Sequence, residues 1–167
     1  MFTANDKAVA ASDREIIATR LFKAPREIVW DAWTNPKHVV RWWGPHGFTR
    51  PSCRIDLRVG GYFNLDMRGP EGIIYPCTGK YREIIKPERI VFHGEAHECH
   101  PCGGGLPPRS VVTITFAESG KKTQLSMKTE FESVELIEAA VENGYNEGWA
   151  ASLDHLEDFV ASRNARE

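Results

Sequence analysis

The chain has no long apolar run: nowhere in its 167 residues do the roughly 20 consecutive apolar residues of a membrane-spanning helix occur. The opening stretch, Met1 to Asp13, also lacks the apolar core of a signal peptide and reads as a loose leader, residues 1–13, ahead of the folded part. Charge of one sign is missing as well. Lys and Arg number 21 against 23 Asp and Glu, a formal net charge of -2, so there is no basic footprint for nucleic acid or an anionic membrane surface. No phosphate loop, dinucleotide fingerprint or Gly-x-Ser-x-Gly elbow appears, so the commonest catalytic signatures are absent. Together these absences lead us to expect a cytoplasmic protein with neither a nucleic-acid partner nor membrane insertion. Cysteine is sparse too. Cys53, Cys77, Cys99 and Cys102 are expected to be reduced thiols in that compartment unless some of them bind metal.

What is present is an ordinary globular composition, 41% hydrophobic and 26% charged, at a length that suits one domain, here residues 14–164. Glu15 to Phe22 is rich in β-branched and apolar residues and reads as a strand. Ala24-Pro25 stops it, and Pro25 suits the start of a short helix in which Ile28, Val29, Ala32 and Trp33 share a face. Asn35-Pro36 breaks that helix, and a second carries Val39, Val40, Trp42 and Trp43 to Gly44-Pro45. From Cys53 to Phe131 the period is two. Cys53, Ile55, Leu57 and Val59 alternate with polar residues, as do Phe63, Leu65 and Met67, and later Leu125, Met127, Thr129 and Phe131. Pro76 and Gly79 interrupt the run from Ile73 to Ile85, which points to a bulge or an edge position. After Ser133 the period changes to three and four. Val141, Tyr145, Trp149, Leu153, Leu156 and Val160 predict a long amphipathic helix with Gly144 and Gly148 in its middle turns. Glycine there points either to a kink or to bare backbone approaching the sheet. Short turns between successive strands imply an antiparallel meander. The resulting expectation is an α+β helix-grip fold: a curved antiparallel sheet of about six to seven strands, two short helices, and a long C-terminal helix packed across the sheet.

Several motifs support a more specific resemblance. Ala24-Pro25-Arg26-Glu27-Ile28-Val29-Trp30, Arg41-Trp42-Trp43-Gly44-Pro45, Val59-Gly60-Gly61-Tyr62-Phe63, Gly79-Lys80-Tyr81-Arg82-Glu83-Ile84, Pro87-Glu88-Arg89-Ile90-Val91-Phe92 and Gly148-Trp149-Ala150-Ala151-Ser152-Leu153-Asp154-His155-Leu156 together resemble the bacterial Aha-type proteins. These are named for their similarity to activators of the heat-shock-protein-90 ATPase and sit within the START-like superfamily. The likeness spans residues 14 to 161. It implies a cavity between sheet and last helix, and the activities found among such relatives: binding of a hydrophobic or aromatic small molecule, polyketide cyclisation, antibiotic sequestration, and association with a chaperone. Fold kinship does not choose among them.

The candidate lining of that cavity is aromatic: Tyr62, Tyr81, Phe92, Phe116, Tyr145 and Trp149, with Trp42, Trp43 and Phe48 near the mouth. On a helix, adjacent positions diverge by about 100°, so only one of Trp42 and Trp43 is expected to face inward. The other would close the pocket or form part of a contact surface for a chaperone. Were the site catalytic, His93 and Tyr81 are the candidates for moving protons. A separate stretch holds His97, Cys99, His100 and Cys102. The two-residue gap between its cysteines is that of a zinc knuckle, although a polar hairpin tip with free thiols and a redox dithiol fit the same residues. No other cofactor is expected. A homodimer would cover the edges that a meander leaves open.

Overall fold

The alternating segments form one antiparallel sheet in the computed structural model, which describes residues 7–12, 14–95 and 109–166. Its strands are β1 Lys7–Ser12, β2 Glu15–Phe22, β3 Thr49–Ile55, β4 Tyr62–Arg68, β5 Ile74–Ile85, β6 Arg89–Gly94, β7 Val111–Ser119 and β8 Lys122–Glu130. Their order across the sheet is β1-β2-β8-β7-β6-β5-β4-β3, so the meander from β3 to β8 is closed by β2 pairing with β8. Two short helices, α1 Arg26–Thr34 and α2 Pro36–Val39, join β2 to β3. Two more, α3 Val134–Glu142 and α4 Tyr145–Arg166, follow the sheet. This is the α+β helix-grip arrangement expected from periodicity.

Register puts one apolar set on the inner face. Phe63 opposes Gly79, Tyr81 opposes Phe92, Ile90 opposes Ile114, and Phe116 opposes Leu125, and every one of these apolar side chains is buried. The α4 stripe of Tyr145, Trp149, Leu153, Leu156 and Val160 is buried too. The sheet's dry face and the helix's dry stripe therefore cover each other. Among the described residues, one charged side chain shares this interior. Arg20 of β2 is fully buried, its Nη1 2.8 Å from Asp154 Oδ1 and 3.5 Å from Glu157 Oε1 of α4. It ties the sheet to the helix.

Four local readings change. The stretch read as a loose leader contains β1, whose alanine-rich sequence carries little strand propensity and gains order by pairing with β2 from Lys7↔Thr19 to Ser12↔Glu15. The long C-terminal helix is divided in two, because Gly144 adopts φ +88°, a left-handed conformation that ends a helix. Leu57 and Val59 lie beyond the end of β3 and are exposed. Pro76 sits in an unbroken β4–β5 ladder opposite Asp66, whereas the register slips between Tyr81 and Glu83. Gly79 has a packing role instead. A Cβ there would come within 2.2 Å of the Phe63 ring, so bare backbone lets that ring lie across the sheet.

Candidate functional site

Four tryptophans meet between the sheet and α4. Trp33 comes from the inner face of α1, Trp42 and Trp43 from the turn after α2, and Trp149 from the second turn of α4. Ring centroids lie 4.7 Å apart for Trp33–Trp42, 4.9 Å for Trp43–Trp149 and 5.5 Å for Trp42–Trp43. Trp33 and Trp149 stack with planes 6° apart and centroids 6.3 Å apart. Phe63 continues the cluster onto the sheet, 5.7 Å from Trp43, 5.6 Å from Tyr81 and 5.0 Å from Phe92. Trp42 and Trp43 are both buried, contrary to the expectation that only one points inward. Helix α2 ends at Val39, so the helical divergence between neighbours does not apply to them. Neither tryptophan is then available as an exposed contact surface for a chaperone.

The indole N–H groups are not equivalent. Trp42 Nε1 donates to the Ala32 carbonyl at 2.9 Å, one of the last carbonyls of α1, which has no partner within its own helix. The indole nitrogens of Trp33 and Trp149 are buried and have no hydrogen-bond partner among the described residues. Two unsatisfied donors in one apolar interior are uncommon and call for a physical reason. Trp33 was read from the sequence only as part of an apolar helix face. Its stacking on Trp149 depends on a contact 116 positions away in sequence, which no local pattern carries.

The other candidates separate into distinct places. Phe92 belongs to the cluster, while Phe116 packs its ring 5.3 Å from Trp30. Tyr145 is buried, shares a hydrogen bond with Thr129 Oγ1 and packs against Phe131. Tyr62 does not line the interior: it alternates with Phe63, is exposed, and lies under Lys80 Nζ. Phe48 is half-buried beside Tyr75 and lines a groove along α4.

His93 and Tyr81, the two candidate proton carriers, are not brought together. Tyr81 opposes Phe92 on the inner face, whereas His93 opposes Lys80 and so points to the outer one, its Nδ1 3.0 Å from Glu95 Oε2. Burial, with a smaller contribution from Cys53, pushes the Tyr81 phenol well above the ordinary tyrosine range. Burial does the same to Tyr145, outweighing the opposing hydrogen bond from Thr129. Both phenols therefore stay protonated and can donate hydrogen bonds but not act as bases. His97, Cys99, His100 and Cys102 lie outside the described residues. Among the described residues, no group of three or more His, Cys, Asp or Glu side chains is placed to hold a metal, and no helix is long and apolar enough to cross a membrane.

A curved antiparallel sheet gripping a C-terminal helix over an aromatic interior defines a START-like domain. Within that class, the chain belongs to the family described as "Activator of Hsp90 ATPase homolog 1-like protein", which matches residues 23–161. Solved structures share the fold. A Nitrosomonas europaea protein is 23% identical, with 94% of this chain and 99% of that one covered at a TM-score of 0.81. The AHSA1-like protein of Aeromonas hydrophila is 22% identical over 89% of this chain and 93% of its own, with a TM-score of 0.68. CalU16 of Micromonospora echinospora is 25% identical over 97% and 86%, with a TM-score of 0.60. No curated protein matches the sequence.

Proposed function

We propose that the protein binds a hydrophobic, aromatic small molecule bearing a hydrogen-bond acceptor, held between the sheet and the C-terminal helix. The observation that carries this reading is the pair of buried, unpartnered indole N–H groups on Trp33 and Trp149. Each unsatisfied donor costs about 1–3 kcal/mol, whereas a ring–ring contact contributes about 0.5–1.5 kcal/mol beyond its buried area. A flat ligand lying against the edge of the stacked pair, with a carbonyl or ether oxygen in the plane of an indole ring, would satisfy one or both donors. Its own ring would pack against the surrounding aromatic side chains. The neighbouring side chains, Trp43, Phe63, Tyr81 and Phe92, are rings as well, which favours a planar body over a flexible chain.

Native mass spectrometry of the protein as purified, followed by uptake of hydrophobic dyes and polycyclic ketones, tests this proposal. Co-purified organic mass or saturable uptake that quenches tryptophan fluorescence is expected. Protein that is free of ligand and takes up none of these compounds would overturn it. A second reading, a cyclase-like enzyme in the same interior, is favoured by one feature: the Thr129–Tyr145 pair is an ordered polar couple in an otherwise apolar setting. There Tyr145 would donate a hydrogen bond to a polarised carbonyl. Tyr145→Phe would then abolish turnover of a bound polyketide while leaving its affinity within about twofold.

A further inference from the structure

One flank of α4 meets the chain between α2 and β3 in a groove of about 410 Å³. Arg41, Arg50 and Arg163 line it with a single carboxylate, Asp158, and two rings, Phe48 and Phe159. Three arginines against one aspartate leave a formal charge of +2, in a chain whose net charge is -2. Arg50 is strapped across the connection, its Nε donating to the Val40 carbonyl at 2.8 Å and its Nη1 to the Phe48 carbonyl at 2.7 Å. Neither Arg50 nor Arg41 has an ion-pair partner among the described residues. Burial, and then the charge of Arg41, lower the Arg50 pKa from its ordinary value, the condition that a bound anion relieves. Arg41 lies over the Phe159 ring at 5.8 Å, and Arg163 Nη2 makes a long contact, 3.7 Å, with Asp31 Oδ2.

The walls are held in place. The Gly44 N–H donates to Ser152 Oγ at 2.8 Å, and His155 bridges the Trp42 carbonyl at 3.2 Å and His46 Nδ1 at 3.1 Å. Trp42 thus gives its ring to the interior cluster and its carbonyl to the groove, so the two sites lie on opposite sides of the same turn.

We propose that this groove is a second binding site, one that takes an organic phosphate monoester with a flat apolar body. The doubly charged head matches the +2 lining, guanidinium forks suit phosphate oxygens, and Phe48 with Phe159 supplies apolar surface for the body. The site does not depend on whether the interior holds a ligand.

Isothermal titration with phenyl phosphate, benzoate, phenol and inorganic phosphate, each added to the full chain, tests it. Phenyl phosphate is expected to bind at least tenfold more tightly than any of the other three. The double variant Arg41→Gln, Arg163→Gln removes two partly exposed guanidinium groups but leaves the Arg50 strap intact. It is expected to lose at least tenfold in phenyl phosphate affinity with an unchanged unfolding midpoint, whereas Arg54→Gln, outside the groove, loses nothing. Phenol or benzoate binding as tightly as phenyl phosphate would overturn the anion assignment. Equal binding of inorganic phosphate would overturn the role given to the rings, and unaltered affinity in the double variant would overturn the site itself.

Discussion

Trp42→Phe and Trp149→Phe make the same chemical change in the same ring cluster, yet their consequences should differ. Each removes the same volume from a buried site, a shared cost on the order of 1–2 kcal/mol. At Trp42 the change also removes the donor to Ala32 and orphans a helix-terminal carbonyl, adding about 1–3 kcal/mol. At Trp149 it removes a donor that has no partner, returning about 1–3 kcal/mol. Trp42→Phe is therefore expected to cost about 2–5 kcal/mol and Trp149→Phe close to nothing, a gap of at least about 2 kcal/mol. For a chain of this size each kcal/mol moves Tm by about 2–4 °C, so the two variants should melt at least about 4–8 °C apart. Urea unfolding followed by far-UV circular dichroism reads the difference directly, provided that the m-values agree. Equal losses at the two positions would show that the Trp149 indole N–H is satisfied in solution, and the ligand proposal would lose its support.

Arg20→Met should lower stability by about 1–3 kcal/mol, less than the 3–5 typical of a broken buried pair, because Asp154 and Glu157 can rehydrate. Asp154→Asn should lower it more, because it leaves the fully buried guanidinium without the carboxylate at 2.8 Å, and urea titration compares the two. Gly79→Ala drives a methyl group into the Phe63 ring. An overpacking cost of about 1–3 kcal/mol and a changed near-UV circular dichroism spectrum are expected, and an unaltered spectrum would contradict the close approach. Cys53 is pushed up by burial from 9.0 to about 11, so its thiolate is scarce at pH 8.5. Iodoacetamide should label it on the order of a hundredfold more slowly in the native than in the unfolded chain, as read by peptide mapping. Because the folded form holds that proton more tightly, the Cys53 contribution to stability is intact below about pH 9. It declines as pH rises towards 11.

Much of the fold was legible because a half-buried sheet writes its pattern into sequence. Phe63, Leu65 and Met67, and later Leu125 and Met127, alternate without a break and fall on the inner face. The change of period at Ser133 also held: its hydroxyl accepts from the Leu136 N–H and caps α3. The features that escaped depend on tertiary contacts. β1 has almost no intrinsic strand signal and takes its conformation from the edge of β2. Arg20 interrupts an apolar face and looks like a solvated position until two carboxylates arrive from α4. Gly144 was legible as a weak point in the helix but not as its end, since only its positive φ decides that.

The candidate site divides along the same line. Sequence spacing could nominate aromatic residues for an interior but could not show that Tyr62 faces out and that Trp42 and Trp43 both face in. The phosphate groove was less legible still. Its arginines come from the turn after α2, the start of β3 and the last turns of α4, and of its lining only Phe48 was nominated from sequence as a site residue, Arg41 and His155 entering only as parts of family motifs.

The most direct test of ligand binding is the indole region of a ¹H–¹⁵N correlation spectrum during titration with 1-acetonaphthone, a planar ketone. The Trp33 and Trp149 N–H resonances should move downfield as they gain an acceptor, while that of Trp42, already bonded to Ala32, stays in place. Naphthalene, which has no acceptor, should bind more weakly and move them less. If all the indole resonances stay fixed at saturating ketone, or the two ligands move them equally, the unpartnered indoles are not a recognition site.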